Sequence, residues 1–288
     1  MLKRASSLLL AVGLVALGGC GVVAERDPDA GRVVEQAEEQ AQQTATASPP
    51  AAVDDEGNLL SLELSTTDEE SLDELSVGTQ GLAVATVALD GGVVTAGLDS
   101  FGDPALRFPE FSLDDAPPRA IVRMTQDAEA GVLDVGEEAF VFGVDFALDD
   151  VSFGTTVDGG NNLIQRGLAS GESQFKIDSD GENVLCRVAG LDGVLEARIH
   201  QQLEAGEWYR VRCAREGESI EVSLAPLSVK GPTATRTEEG PLGALSFEDG
   251  VPLSLGGKLA ANGAVIRSAT DQFNGLLAQP YLSVGGDR

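Results

Sequence analysis

The sequence predicts an all-β fold, a sandwich or a barrel, across residues 81–288. Three observations predict it. Apolar residues recur at every second position in short runs. Gly, Asp, Asn and Pro punctuate those runs at regular intervals. No amphipathic run of ten or more residues at helical period competes with them. A strand with one buried face needs period two, because its successive side chains point to opposite sides. Some 200 residues make one large β domain, able to bury roughly 70% of its unfolded surface.

Ahead of that region the chain has a different character. Lys3 and Arg4 precede an apolar run from Leu8 to Leu17. The run has signal-peptide length and is too short for a comfortable membrane span. It closes on Leu17-Gly18-Gly19-Cys20, which resembles a bacterial lipobox. The resemblance implies a signal peptide at residues 1–19, cleavage after Gly19 and a diacylglyceryl thioether on Cys20. With further acylation (palmitate or similar), two or more chains anchor a protein stably. The chain is thus expected to be an exported lipoprotein on the outer face of the bacterial cell membrane. The competing reading is an ordinary secretory signal with an incidental Cys20; both readings export the chain. No other stretch is long and apolar enough to span a bilayer.

Residues 20–80 read as a disordered acidic linker. From Gly21 to Gln80 there are fifteen acidic residues against Arg26 and Arg32, and no aromatic residue. Such a segment cannot bury enough apolar surface to offset its chain entropy. Leu59, Leu62 and Leu64 are its only hint of order. Over the whole chain 47 acids face 19 bases, a formal charge of -28. Phosphate binding needs a basic face, so nucleic acid is excluded as a partner. The expected partners are the membrane, through the lipid anchor, and a glycan or envelope protein. The chain is expected to be monomeric.

The strands of the domain follow in order. Phe140, Phe142, Val144 and Phe146 share one face, then Phe175 and Ile177. Val184, Cys186 and Val188 align beyond the "DSDG" turn. Tyr209, Val211 and Cys213 align on one face of "WYRVRCA", with Arg210 and Arg212 on the other. Ile220, Val222 and Leu224 form the next set, and Leu282 and Val284 end the chain. "GLDGVLEARIHQQLEAGE" between the two cysteines reads as a turn region.

Export permits disulfides. With Cys20 lipidated, Cys186 and Cys213 remain, an even number, each on an inward-facing set. A disulfide between them is expected if their strands are neighbours, worth about 3 kcal/mol in the chain-entropy model. The competing reading is a nucleophilic Cys213 activated by Arg210, Arg212 and Arg215. It meets the objection that a strand points Arg210 and Arg212 away from Cys213. The arginines read instead as a solvent-facing stripe pairing with acids across strands, Glu221 for example. Trp208 reads as packing rather than as a sugar-stacking platform.

Several segments together resemble a family. Gly206, Trp208, Tyr209 and Val211 fit a "G-x-W-[HY]-x-V" strand; Leu253, Leu255, Gly256 and Gly257 fit "L-x-[IL]-G-G". Phe273, Gly275, Pro280 and Leu282 fit the closing "F-x-G-x-[IL]-x-x-[VP]-x-[IVL]" segment. In this order they resemble the laminin G-like domain of the concanavalin A-like lectin/glucanase superfamily, from about Phe101 to Gly286. The resemblance implies a two-sheet antiparallel jelly-roll sandwich. It also departs from the pattern. The aspartate usual near Ala278-Gln279 is missing, and "APLSVKG" replaces the usual Val-Asp-Gly hairpin.

That superfamily includes glycosidases, so catalysis has to be considered. Its glucanases resemble one another in an "E-x-D-x-x-E" strand, and this chain has no such string. The only histidine, His200, has no Ser or Cys partner at a recognisable spacing. The expectation is therefore a non-catalytic binding module, with a polysaccharide-degrading glycosidase or lyase as the alternative. Laminin G-like domains often carry calcium at the sandwich rim. Asp158, Asn161 and Asn162 of "TTVDGGNN", with Asp271 before "FNG", are the candidate ligands. Against this stands the plainer reading that these residues only build turns, which Asx chemistry favours.

Overall fold

The computed structural model describes residues 74–127, 129–149, 160–227 and 231–285, and the backbone of 62–65. Cys20, the expected signal peptide, most of the expected linker, and Asp158 lie outside the described residues.

Two seven-stranded antiparallel sheets pack face to face. In spatial order the first holds β11 (Gly193–His200), β10 (Asn183–Gly190), β9 (Gln174–Ser179), β8 (Asn161–Arg166), β15 (Leu253–Leu255), β6 (Arg119–Gln126) and β3 (Leu82–Leu89). The second holds β14 (Ala234–Glu239), β13 (Ser219–Pro226), β12 (Trp208–Glu216), β7 (Phe140–Leu148), β16 (Gly275–Val284), β5 (Pro104–Arg107) and β4 (Thr95–Leu98). The chain is thus the all-β jelly-roll sandwich that the period-two runs and the resemblance imply. A separate pair, β1 (Leu62–Ser65) and β2 (Glu74–Val77), precedes residue 81, the start expected for the domain. Leu75 of β2 packs against the core.

The core forms where the alternating apolar sets meet. Phe140, Phe142, Val144 and Phe146 line the inner face of β7 at 2% exposure or less. From the opposite sheet Phe175 meets Phe142 with ring centroids 4.9 Å apart. Each such ring contributes about 1.5–3 kcal/mol through burial. The inward sets of β10, β12 and β13 are equally enclosed: Val184, Val188, Val211, Ile220, Val222 and Leu224 are all 0% exposed.

Cys186 and Cys213 are disulfide-bonded, with Cα atoms 6.1 Å apart. They are not on neighbouring strands of one sheet. Cys186 lies on β10 of the first sheet and Cys213 on β12 of the second, so the bond fastens one sheet to the other through the core.

Two expectations need correction. The segment between the cysteines is not a turn region, because Gly193–His200 forms the edge strand β11. Leu191-Asp192 is the turn that leads into it, since Gly190 and Gly193 are register partners, and a second turn at Glu204–Glu207 follows it. Ala197 and Ile199 bury the inner face of this strand at period two. Arg215 is not part of an outward stripe either. It shares the inward parity of Val211 and Cys213 and is 4% exposed. Its guanidinium closes one end of the sandwich by donating to the carbonyls of Gly136, Gly217 and Gly243. Burial pushes its pKa below the usual value.

Candidate binding site on the second sheet

The outer face of the second sheet carries a feature that the alternation of β7 makes unavoidable. With its phenylalanines turned inward, Gly143, Asp145 and Ala147 face outward. Asp145 is the one acid within that strand, and it is 1% exposed. A buried carboxylate is costly unless it is paired and hydrogen-bonded. Register supplies the partner: Asp145 lies directly opposite Arg210 of β12. Arg210 Nε donates to Asp145 Oδ1 at 2.9 Å and Arg210 Nη2 to Oδ2 at 2.7 Å. This fork-on-fork geometry is the strong form of an ion pair.

Arg212 adds a second guanidinium, with Nη1 3.5 Å from Asp145 Oδ1. Its side chain crosses β7 over Gly143, where a Cβ would lie 2.7 Å from Arg212 Cδ. Glycine at 143 is what opens that path. The guanidinium then reaches β16, 5.3 Å from the centroid of the Tyr281 ring. Tyr281 faces the same way as Ala278 because the register of β16 shifts between them. Gln279, at φ 47, and Pro280 occupy that irregularity. Without the extra residue, a three-residue step would put Tyr281 on the inner face.

Electrostatics separates the two arginines. The hydrogen bonds that Arg210 donates to Asp145 raise its pKa. Burial lowers that of Arg212, and the like charge of Arg210 adds to the effect. Two guanidinium groups share one carboxylate, and Arg210 remains 45% exposed at its side chain. Both bonds of the fork use Nε and Nη2, so Nη1 is not part of it. Beside this cluster Trp208 packs with Ala105, Ala147, Ala278, Leu227 and Leu276. Trp208 is 7% exposed, as its packing role implies.

The structure corrects the expected pairing of the arginines. Glu221 of β13 lies opposite Ala214, not opposite an arginine. Its carboxylate accepts a hydrogen bond from Thr237 Oγ1 at 3.4 Å. Asp145 takes both arginines from the other side of β12. Asp145 and Tyr281 were not among the expected site residues. The signal for Asp145 was a lone carboxylate on the outward set of a strand otherwise composed of apolar residues and glycine.

Of the expected calcium residues that are described, Asn161 and Asn162 open β8 and Asp271 lies just before β16. Asn161 Oδ1 accepts the Asn274 N–H at 3.0 Å. Asp271, at φ 49, takes Lys258 Nζ at 2.6 Å through Oδ2 and accepts the Asn162 N–H at 3.0 Å through its carbonyl. The structure therefore brings Asn161 and Asp271 to one rim, each engaged within the chain. Asp178, opposite Asn162 on β9, is paired with Lys176. Burial pushes the Asp178 carboxyl pKa up, Lys176 opposes that, and Asp271 adds to it. His200 ends β11 exposed, against Asn183 Oδ1. Among the described residues no group of three or more His, Cys, Asp or Glu is arranged to hold a metal ion.

No family model matches the chain, and no curated protein does. Solved structures do. The LG1-3 region of the laminin α2 chain matches at TM-score 0.40 and 17% identity, over 52% of this chain and 30% of that one. The enzymatically active domain of tailspike protein 2 of bacteriophage CBA120 matches at 0.48 and 12%, over 71% and 29%. The binding domain of botulinum neurotoxin serotype G matches at 0.47 and 6%, over 78% and 47%. The chain spans less than half the length of each of these three. Laminin LG domains are thus among its structural neighbours, and its own strand register establishes the two-sheet sandwich.

Proposed function

We propose that the chain is an exported lipoprotein, anchored through Cys20, whose sandwich is a non-catalytic binding module for a glycan or an envelope protein. Residues 20–61 act as the tether between anchor and module. One observation carries the binding reading: a buried Asp145 holds Arg210 and Arg212 in fixed positions beside Tyr281 and Trp208. Polar groups held in place on a rigid sheet favour recognition, because little order has to be imposed when a ligand arrives. The outward Arg210 suits hydroxyl or carboxylate oxygens, and the Tyr281 ring suits the flat face of a sugar.

A binding screen of the chain from Gly21 onward against glycans and envelope extracts tests this reading. Binding without release of new reducing ends is expected. Reducing-end release would replace it with the glycosidase or lyase reading, and absence of binding would reject both. For the anchor, a Cys20→Ala variant is expected to leave the membrane fraction. Its unchanged retention there would reject lipidation.

A further inference from the structure

Away from the arginine cluster, a concavity opens where β8 ends. Residues 167–173 form one wall and residues 246–252 the other, with Leu259 and Ala261 closing the side. Its volume is about 230 Å³. Pockets for drug-sized molecules run from roughly 300 to 1,000 Å³. This cleft therefore has room for one side chain rather than an oligosaccharide.

The cleft is built rather than incidental. Ser246 N–H donates to Ser173 Oγ at 2.8 Å and ties the two walls together. The Gly167 carbonyl accepts from Gln165 Nε2 at 2.6 Å and from Gln174 Nε2 at 3.4 Å. Phe247 is held by the Arg166 guanidinium, 4.2 Å from its ring centroid, and by the edge of Phe175 at 5.9 Å. Gly167 has φ 77, and a Cβ there would lie 2.2 Å from the Ser173 carbonyl oxygen and 3.0 Å from the Phe247 ring. Glycine at 167 thus lets both Ser173 and Phe247 close in.

The lining has two characters. Leu168, Phe247, Pro252 and Leu259 make it apolar, while Glu172 and Glu248 add two exposed carboxylates. Among the described residues neither glutamate forms an ion pair.

We propose that this cleft binds a lysine side chain of a partner protein. A lysine lays its four-carbon stem along apolar surface and keeps its ammonium near water. The walls suit the stem and the two carboxylates suit the head. A compact ammonium is a point charge that two separate carboxylates can share, whereas the planar guanidinium of arginine is best matched by one carboxylate in a fork. The formal charge of -28 draws cationic partners toward the surface and repels anionic ones.

The test uses the full-length protein in detergent micelles and three fluorescent Gly/Ser peptides. They differ at one central residue: lysine, norleucine or arginine. The lysine peptide is expected to bind at least about tenfold more tightly than either other peptide, a difference of about 1.4 kcal/mol. Raising salt is expected to weaken it. A Glu172→Gln/Glu248→Gln variant, whose changes lie on the surface, is expected to unfold at the same midpoint and to lose the lysine preference. Equal binding of the norleucine peptide would reduce the cleft to an apolar dent and overturn the proposal. Equal binding of the arginine peptide, a preserved preference in the double variant, or no binding of any peptide would overturn it as well.

Discussion

Asp145 and Arg210 form a two-bond fork across adjacent strands, at 2.9 and 2.7 Å, on the outer face of the sheet rather than in the core. Removing one member of a buried pair costs about 3–5 kcal/mol. Here Arg210 is 45% exposed and can rehydrate, which discounts that figure. Asp145→Ala is therefore expected to lose about 2 kcal/mol. The urea midpoint, at unchanged denaturant slope, reads this directly.

Gly143→Ala probes the path of Arg212. The added methyl would meet the Val211 carbonyl and the Arg212 side chain. Overpacking of this kind typically costs 1–3 kcal/mol. A loss of about 2 kcal/mol is expected, with Arg212 displaced from Tyr281. An unchanged midpoint would show that the strand yields without cost.

The disulfide gives a covalent test of sheet-to-sheet contact. A bond that closes 27 residues is worth about 3 kcal/mol in the chain-entropy model. A Cys186→Ala/Cys213→Ala variant is expected to be less stable by about that amount. The unreduced, unfolded Cys20→Ala chain is expected to titrate with no free thiol.

Acid unfolding isolates Asp178. Its carboxyl pKa is raised in the folded chain, chiefly by burial, above the usual value of 3.8. Between those two values the folded state holds the proton more tightly than the unfolded state. The contribution of this group to stability therefore falls as pH rises from about 3.8 through the raised value. Asp178→Asn cannot titrate. The stability difference, variant minus parent, is expected to rise with pH across that window and then level off. A difference that stays flat there would contradict the burial argument.

At the rim, Lys258 already neutralises Asp271, and Asn161 spends its oxygen on Asn274. Calcium and a chelator are accordingly expected to leave the unfolding midpoint where it is. A clear upward shift with calcium would show that the ion displaces Lys258.

Which faces of the strands are buried was legible in the sequence, because one buried face imposes period two on every strand that has one. Phe140 to Phe146, Tyr209 to Cys213 and Ile220 to Leu224 all follow it. Which sheet each strand joins was not legible, since pairing between distant segments leaves no local trace. For that reason the disulfide was made conditional on neighbouring strands, whereas it forms between opposing sheets. β11 was missed although Ala197 and Ile199 alternate, because Gly, Asp, Glu and Gln crowd its ends. The arginine partner was also misassigned. β12 has a neighbour on each side, and only register decides that Asp145 rather than Glu221 faces Arg210. Arg215 faces inward because its donors meet three carbonyls at the sandwich end, a demand set by distant turns.

The most direct measurement compares the chain from Gly21 onward with its Arg210→Ala variant for binding to the glycan and envelope-extract panel. The parent is expected to bind at least one component and the variant to bind it at least about tenfold more weakly, while its inter-sheet disulfide stays intact. Full binding by the variant would contradict the placement of the ligand on the outer face of the second sheet.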